Sequence, residues 1–249
     1  MPRADSPLLD EQIAYYRARA AEYDQWHTRR GRYDKGDAHR RQWLAELDSV
    51  RSELDKARPF GDCLELACGT GLWTPQLATH ATTLTAVDAV PETIAINRTK
   101  VADLPVQYIV ADLFDWWPTQ TYDLVFFGFW LSHVPADRFD RFWQMVRAAL
   151  KPGGKAFFVD GLSSQVTSAR DHPALTHSGI EQRKLNDGQT FNIIKIFYQP
   201  ARLQPRLDSL GWTGPIQTTG EFFYHGCVTP NPDTQQRPQP TPKKDDASR

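Results

Sequence analysis

The chain has 249 residues, 40% hydrophobic and 24% charged, with a formal net charge of -1. Those proportions are ordinary for a globular chain with a sizeable core, and the length suits one large α/β domain or two small ones. The charge excludes a global field that would gather nucleic acid or anionic membrane. Three cysteines, Cys63, Cys68 and Cys227, fit neither a disulfide framework nor a zinc site, and no Cys or His cluster completes a metal shell. The opening M-P-R-A-D-S-P lacks an apolar h-region and no apolar stretch reaches about 18 residues, so a reducing cytoplasm with no membrane association is the expected setting.

Residues 10 to 28 predict a first helix, because Ile13, Tyr16, Ala20, Tyr23 and His27 recur at helical spacing on one face. After a polar break with Gly31 and Gly36, a second helix is predicted from Asp37 to Arg58, with Trp43, Leu47, Val50 and Leu54 as its apolar stripe and Pro59 closing it. Both precede the first strand, so they are expected to cap or cover a sheet rather than build it. Arg29, Arg30, Arg32, Lys35, Arg40 and Arg41 form a basic run between and within these helices. It reads as a solvated surface interspersed with Asp34 and Asp37, or as a contact for an anionic acceptor or an RNA backbone.

From Asp62 strands and helices alternate. Strands are predicted at 62–67, 83–88, 106–111, 122–129 and 155–161, and helices at 72–80, 91–101 and 137–150. Such alternation argues for a doubly wound parallel sheet. Residues 162–189 are polar and predict a loop or lid over the C-terminal edge of that sheet. Strands at Phe191–Tyr198 and Glu221–Val228 then flank a helix that starts at Pro200 and ends near Gly211. Thr229 to Arg249 carries five prolines and no large apolar residue, which predicts a disordered tail.

The sharpest local signal is Asp62 to Trp73, D-C-L-E-L-A-C-G-T-G-L-W. A short apolar run stops at Gly69 and Gly71 and a helix follows, which is the strand, glycine turn and helix that carries nucleotides in open α/β sheets. Glycine allows a positive φ and a close approach to a ligand, and the helix N–H groups then face that ligand. Thr74 stands where the third glycine of the dinucleotide fingerprint G-x-G-x-x-G would fall.

This stretch, in the form E-L-A-C-G-T-G, resembles the first motif of class I S-adenosylmethionine (SAM)-dependent methyltransferases. The resemblance continues through Asp88, Ala111-Asp112-Leu113, Asp123 to Phe129 and Leu150-Lys-Pro-Gly-Gly154, and it covers residues 60 to 160 most strongly. It implies a seven-stranded, mostly parallel Rossmann-like sheet whose final strand is antiparallel. The implied organisation is an N-terminal helical cap over 1–59, a SAM-binding domain over 60–228 with the lid near 162–189, and the tail over 229–249. The cofactor would be SAM and the product S-adenosylhomocysteine (SAH). Glu65, Ala67, Gly69 and Gly71 would form the first cofactor contact, Asp88 with Ala89 the second, Asp112 with Leu113 the third, and Phe129 the fourth.

The residues also read on their own terms. Asp88 ends the second strand about twenty residues after the glycines, where a carboxylate can accept from both ribose hydroxyls or cap the next helix. The resemblance assigns Asp112 to the adenine amino group; alone, it reads as a turn residue. His133 follows the fourth strand and titrates near neutrality, which suits removal of a proton from an acceptor, or a structural bond to a carbonyl. Trp130 and Asp160 are further candidates for the acceptor side. Y-Y-x-x-R-A-x-E-Y-D at the N-terminus resembles the entry helix of many small-molecule methyltransferases, where its tyrosines close over the cofactor, here Tyr16 and Tyr23. Methyl transfer to a small organic acceptor, through O, N or C, is the reading these features favour. Aromatic residues near the mouth suit a flat acceptor, and no nucleic-acid module is visible. The alternatives are an RNA or protein acceptor, a nicotinamide-dependent oxidoreductase and a non-catalytic SAM-binding regulator.

Overall fold

The computed structural model describes residues 7–101, 103–162, 167–172 and 179–231. Its centre is a sheet in the order β3-β2-β1-β4-β5-β10-β8, with β9 paired to β10. The strands β1 (Asp62–Leu66), β2 (Thr83–Asp88), β3 (Val106–Val110), β4 (Tyr122–Gly128) and β5 (Leu150–Gly161) run parallel. β10 (Phe223–Pro230) returns antiparallel against β5. Strand order reverses between β1 and β4, and ligands of open α/β sheets bind at such a switch point.

Alternation along the central strands sorts two cores. Leu124, Phe126, Phe157 and Val159 face one side, where α3 (Asp37–Asp55) lays Trp43, Leu47, Val50 and Leu54 over them together with α4 (Thr74–His80). Val125, Phe127, Ala156 and Phe158 face the other side, against α6 (Phe139–Ala148) and α7 (Pro200–Ser209). On α6 the buried residues Phe139, Phe142, Trp143 and Val146 fall at helical spacing. Burial of each such phenylalanine contributes roughly 1.5–3 kcal/mol.

Four expectations change. The first helix is interrupted: α1 (Pro7–Arg19) passes through a 3-10 turn at Ala20–Glu22 before α2 (Tyr23–His27). That bend lets Tyr16 and Tyr23 face the same cavity. The predicted strand at Phe191–Tyr198 is shorter and lies outside the main sheet. As β7 (Thr190–Ile194) it pairs with β6 (Ile180–Lys184), part of the predicted lid, in a separate antiparallel hairpin. α1 holds β7 there, since Glu11 Oε1 accepts from the Asn192 N–H at 2.7 Å and Gln12 Oε1 from the Ile194 N–H at 3.0 Å. The vacated place in the main sheet is filled by two short pieces, β8 (Trp212–Thr213) and β9 (Ile216–Thr218), so the sheet has eight strands where seven were expected. Finally, Thr229 and Pro230 belong to β10, pairing with Thr213 and Trp212. The rest of the expected tail, 232–249, and lid residues 163–166 and 173–178 lie outside the described residues.

Candidate active site

The turn after β1 is shaped by backbone conformations that a cavity explains. Ala67 has φ 52°, Gly69 φ 51° and Gly71 φ 84°. A Cβ added at Gly69 would meet nothing within 4 Å, because that side of the turn opens into a cleft. A Cβ at Gly71 would lie 2.6 Å from Asn97 Oδ1. The two glycines therefore serve different ends: Gly69 faces the cleft and Gly71 lets α5 (Pro91–Val101) pack against the turn. Asn97 braces the turn from below, donating to Thr74 Oγ1 at 2.8 Å. From the cap side, Thr70 Oγ1 donates to Asp24 at 2.7 Å, and Asp24 pairs with Lys100 at 2.6 Å.

The cleft has about 760 Å³ of empty volume. Ala67, Gly69, Asp88, Ala89, Asp112 and Leu113 line it from the ends of β1, β2 and β3. Asp88 receives the Gly69 N–H at 2.8 Å on one oxygen and the Val90 N–H at 2.9 Å on the other. Burial raises its pKa. Asp112 closes an Asx turn by accepting from Phe114 N–H at 3.0 Å. Phe129, at φ 59°, turns the chain away after β4. Strained φ values at Ala67 and Phe129, both in the lining, are typical of positions held for function.

Two candidates from the cofactor set do not reach the cleft. Gly71 is one. Glu65 is the other, since it lies 2% exposed beneath the turn and accepts from Thr74 Oγ1 at 2.7 Å. Burial pushes its pKa up to about 8. Leu9, Gln12, Thr70 and Thr93 line the cleft and were not foreseen from the sequence. No residue pattern distinguishes them from packing positions.

A second lobe of about 650 Å³ adjoins the first and shares Tyr16, Tyr23, Phe129 and His133 with it. At this junction His133 Nδ1 lies 2.7 Å from the Ile194 carbonyl oxygen and Nε2 2.8 Å from the Tyr16 hydroxyl. A carbonyl only accepts, so Nδ1 carries the proton and Nε2 offers its lone pair to the Tyr16 O–H. Burial first, then the Lys195 charge, holds the His133 pKa well below the ordinary histidine value. Burial raises the Tyr16 pKa.

The acceptor-side candidates divide. His133 stands at the junction. Trp130 lines the first lobe instead, its ring 5.5 Å from that of Phe114 and tilted 36° to it. Asp160 lines neither lobe. It is fully buried and accepts from Ser132 N–H at 2.8 Å and Ser132 Oγ at 2.9 Å, which fixes the segment carrying His133. The second lobe draws on residues far apart in sequence, including Arg19, Tyr33, His172, Arg183 and Lys195. The basic run is not its source. Arg32 pairs with Asp171 at 2.8 Å and Arg40 with Asp34 at 3.3 Å, both in surface contacts.

The lining of the first lobe fits a nucleoside. Gly69 leaves open space at the turn, Asp88 presents a carboxylate at the end of β2, and the buried Trp130 Nε1 has no hydrogen-bond partner among the described residues. The switch-point cleft, the glycine turn and the carboxylate nineteen residues beyond it define a nucleotide-binding site of the doubly wound α/β class.

Known proteins agree. The methyltransferase domain family model matches residues 63–154. The structure of DhpI in complex with SAH is 37% identical, covers 92% of this chain and 100% of that one, and superposes with a TM-score of 0.74. A complex of DhpI with SAM and HEP gives 35% identity and a TM-score of 0.75. The N-methyltransferase NodS from Bradyrhizobium japonicum WM9 with SAH shares the fold at 16% identity and a TM-score of 0.61, covering 90% of this chain and all of that one. Nodulation protein S of Sinorhizobium fredii is 34% identical over 68 residues, 27% of this chain and about a third (32%) of that relative's length. The chain belongs to the SAM-dependent methyltransferase family, and SAM is its cofactor. The nicotinamide alternative is thereby overturned. Among the described residues no group of His, Cys, Asp and Glu is arranged to hold a metal, and no helix is long and apolar enough to cross a membrane.

Proposed function

We propose that this enzyme methylates a small organic acceptor held in the second lobe, at an oxygen, nitrogen or activated carbon that loses a proton to the Tyr16–His133 pair. The observation that carries this reading is that the two lobes meet at that pair. When bound, SAM supplies a methyl group on a sulfonium, so that transfer to an acceptor X–H forms X–CH3, breaks the S–CH3 bond and leaves SAH and one proton.

The chain's own contribution is positioning and the fate of that proton. Asp88 would hold the ribose hydroxyls and Asp112 the adenine amino group, with Leu113, Phe114 and Trp130 bordering the ring. Tyr16 and Tyr23 would close the lobe from α1 and α2. Tyr16 O would accept the acceptor's proton while its own O–H proton passes to His133 Nε2. Holding reactants in line supplies up to ~7–11 kcal/mol of such a barrier. A concave lobe walled by Tyr15, Trp26 and Tyr33 suits a small, partly aromatic molecule better than an RNA or protein surface.

The test is isothermal titration with SAM and SAH, followed by acceptor screening with labelled methyl groups. Asp88→Ala removes two charge-assisted bonds of about 1.5–3 kcal/mol each, so SAM affinity should fall by about two to four orders of magnitude. Unchanged affinity would remove Asp88 from the cofactor site.

A further inference from the structure

The second lobe carries an electrostatic signature that methyl transfer alone does not require. Arg19, Arg183 and Lys195 all line it, and no carboxylate does among the described residues. Arg19 and Arg183 are each 7% exposed, and the Lys195 side chain is 16% exposed. Two of these cations have an acid behind them: Lys195 lies 3.5 Å from Asp160, and Arg183 lies 3.9 Å from Glu181. Arg19 has none among the described residues. Its Nη2 donates to the Tyr33 hydroxyl at 3.1 Å, its Cζ lies 4.6 Å from the Tyr23 ring centroid, and its buried Nε has no hydrogen-bond partner there.

Buried guanidinium groups are costly unless they are paired and hydrogen-bonded, and an unpartnered donor in a cavity wall is available to the acceptor of a bound ligand. His133 and His172, the lobe's two histidines, are both depressed by burial first, then by Lys195, Arg183 and Arg19 at His133 and by Arg183, Arg32 and Arg19 at His172, so neither adds a competing charge near neutrality.

We propose that the acceptor is a small organic acid whose oxyanion, a carboxylate or a phosphoryl group, is held by Arg19 and Arg183 with Lys195 completing the field. The inference rests on the reading of the second lobe as the acceptor site. An oxyanion accepts from two guanidinium groups in forked geometry, which fixes the acceptor's orientation as well as its charge. The neutral end of the molecule is thereby directed to the Tyr16–His133 junction.

The experiment is titration of the SAH-saturated protein with four probes of similar size: phenylacetate, phenyl phosphate, benzyl alcohol and 2-phenylethylamine. SAH affinity is measured first and separately; if SAH does not bind, the cofactor reading fails, independently of the acid proposal. The expected result is that at least one acid binds about tenfold or more tighter than the alcohol and the amine, which for tenfold is about 1.4 kcal/mol. The stronger of the two acids tells carboxylate from phosphoryl. Arg19→Met and Arg183→Met should each erase that preference while SAH affinity holds. Should Arg19→Met fail to fold, Arg183→Met and the salt dependence of the wild type carry the test, since 0.5 M NaCl should weaken the acid and spare the alcohol. Equal binding of acid and alcohol to SAH-loaded protein, or acid binding indifferent to Arg183→Met, would overturn the proposal.

Discussion

His133 and Glu65 show how burial assigns protonation states one residue at a time. The His133 pKa is depressed, so Nε2 remains unprotonated below pH 6.5, the ordinary histidine value. If His133 takes the proton, the acid limb of kcat falls at lower pH than an ordinary histidine would give, and His133→Gln lowers kcat by ~10²–10⁴ with a much smaller change in KM for SAM. A pH–rate profile of both proteins checks this, and a limb that persists in His133→Gln would assign it to another group. Glu65 is the opposite case. Its pKa rises from 4.5 to about 8, so the native state keeps a proton that the unfolded chain releases. Its contribution to stability is whole below pH 4.5 and is lost as pH rises through 8. Glu65→Gln mimics the protonated carboxyl, so its Tm relative to wild type should improve between pH 6 and pH 9. Thermal melts at the two values decide it.

At the scale of elements, the hairpin β6–β7 is held to α1 by polar contacts more than by a large core. Tyr15, Leu185 and Ile193 form the small buried cluster between them, and Gln12 accepts the Ile194 N–H. Ile194 in turn offers its carbonyl to His133, so α1, β7 and the proposed base form one connected unit. Gln12→Ala leaves a buried amide without its acceptor, which costs about 1–3 kcal/mol locally. Amide exchange at Ile194 should accelerate by one to two orders of magnitude and the acceptor KM should rise, while the main sheet keeps its protection. Equal loss of protection throughout would show that the hairpin and sheet open together.

For the whole molecule, pH dependence follows from partly buried histidines. Burial brings His27 down to about 4 and His172 to about 3. A histidine with a depressed native pKa binds fewer protons folded than unfolded, so its stability is whole above 6.5 and is lost as pH falls. Glu65 acts in the contrary direction over 4.5 to 8, and the histidines set the acid side. Unfolding free energy from urea titration should therefore decline between pH 6.5 and pH 4. His27→Gln should flatten that decline by up to ~1.4 kcal/mol per pH unit. A slope unaltered by His27→Gln would place the acid sensitivity elsewhere.

Much of this architecture was legible because it is written in short periods. The strand, glycine turn and helix around Gly69 depend on neighbours in the chain, as do the two-residue alternation of β4 and β5 and the helical stripe of α3. Asp88 and His133 could be expected at the cleft because strand ends in a doubly wound sheet converge on one edge, whereas Asp112 and Phe129 were singled out by the resemblance; all four line the cleft. Tertiary structure alone decided the rest. Long-range contacts moved Phe191 out of the sheet into a hairpin. They separated Gly71 and Glu65 from the cleft, and they turned Asp160 from a candidate ligand into the support of Ser132. The cations of the second lobe come from positions 19, 183 and 195, on α1, β6 and the segment after β7. No local pattern links residues so far apart, because what joins them is the packing of one α1 face against the hairpin.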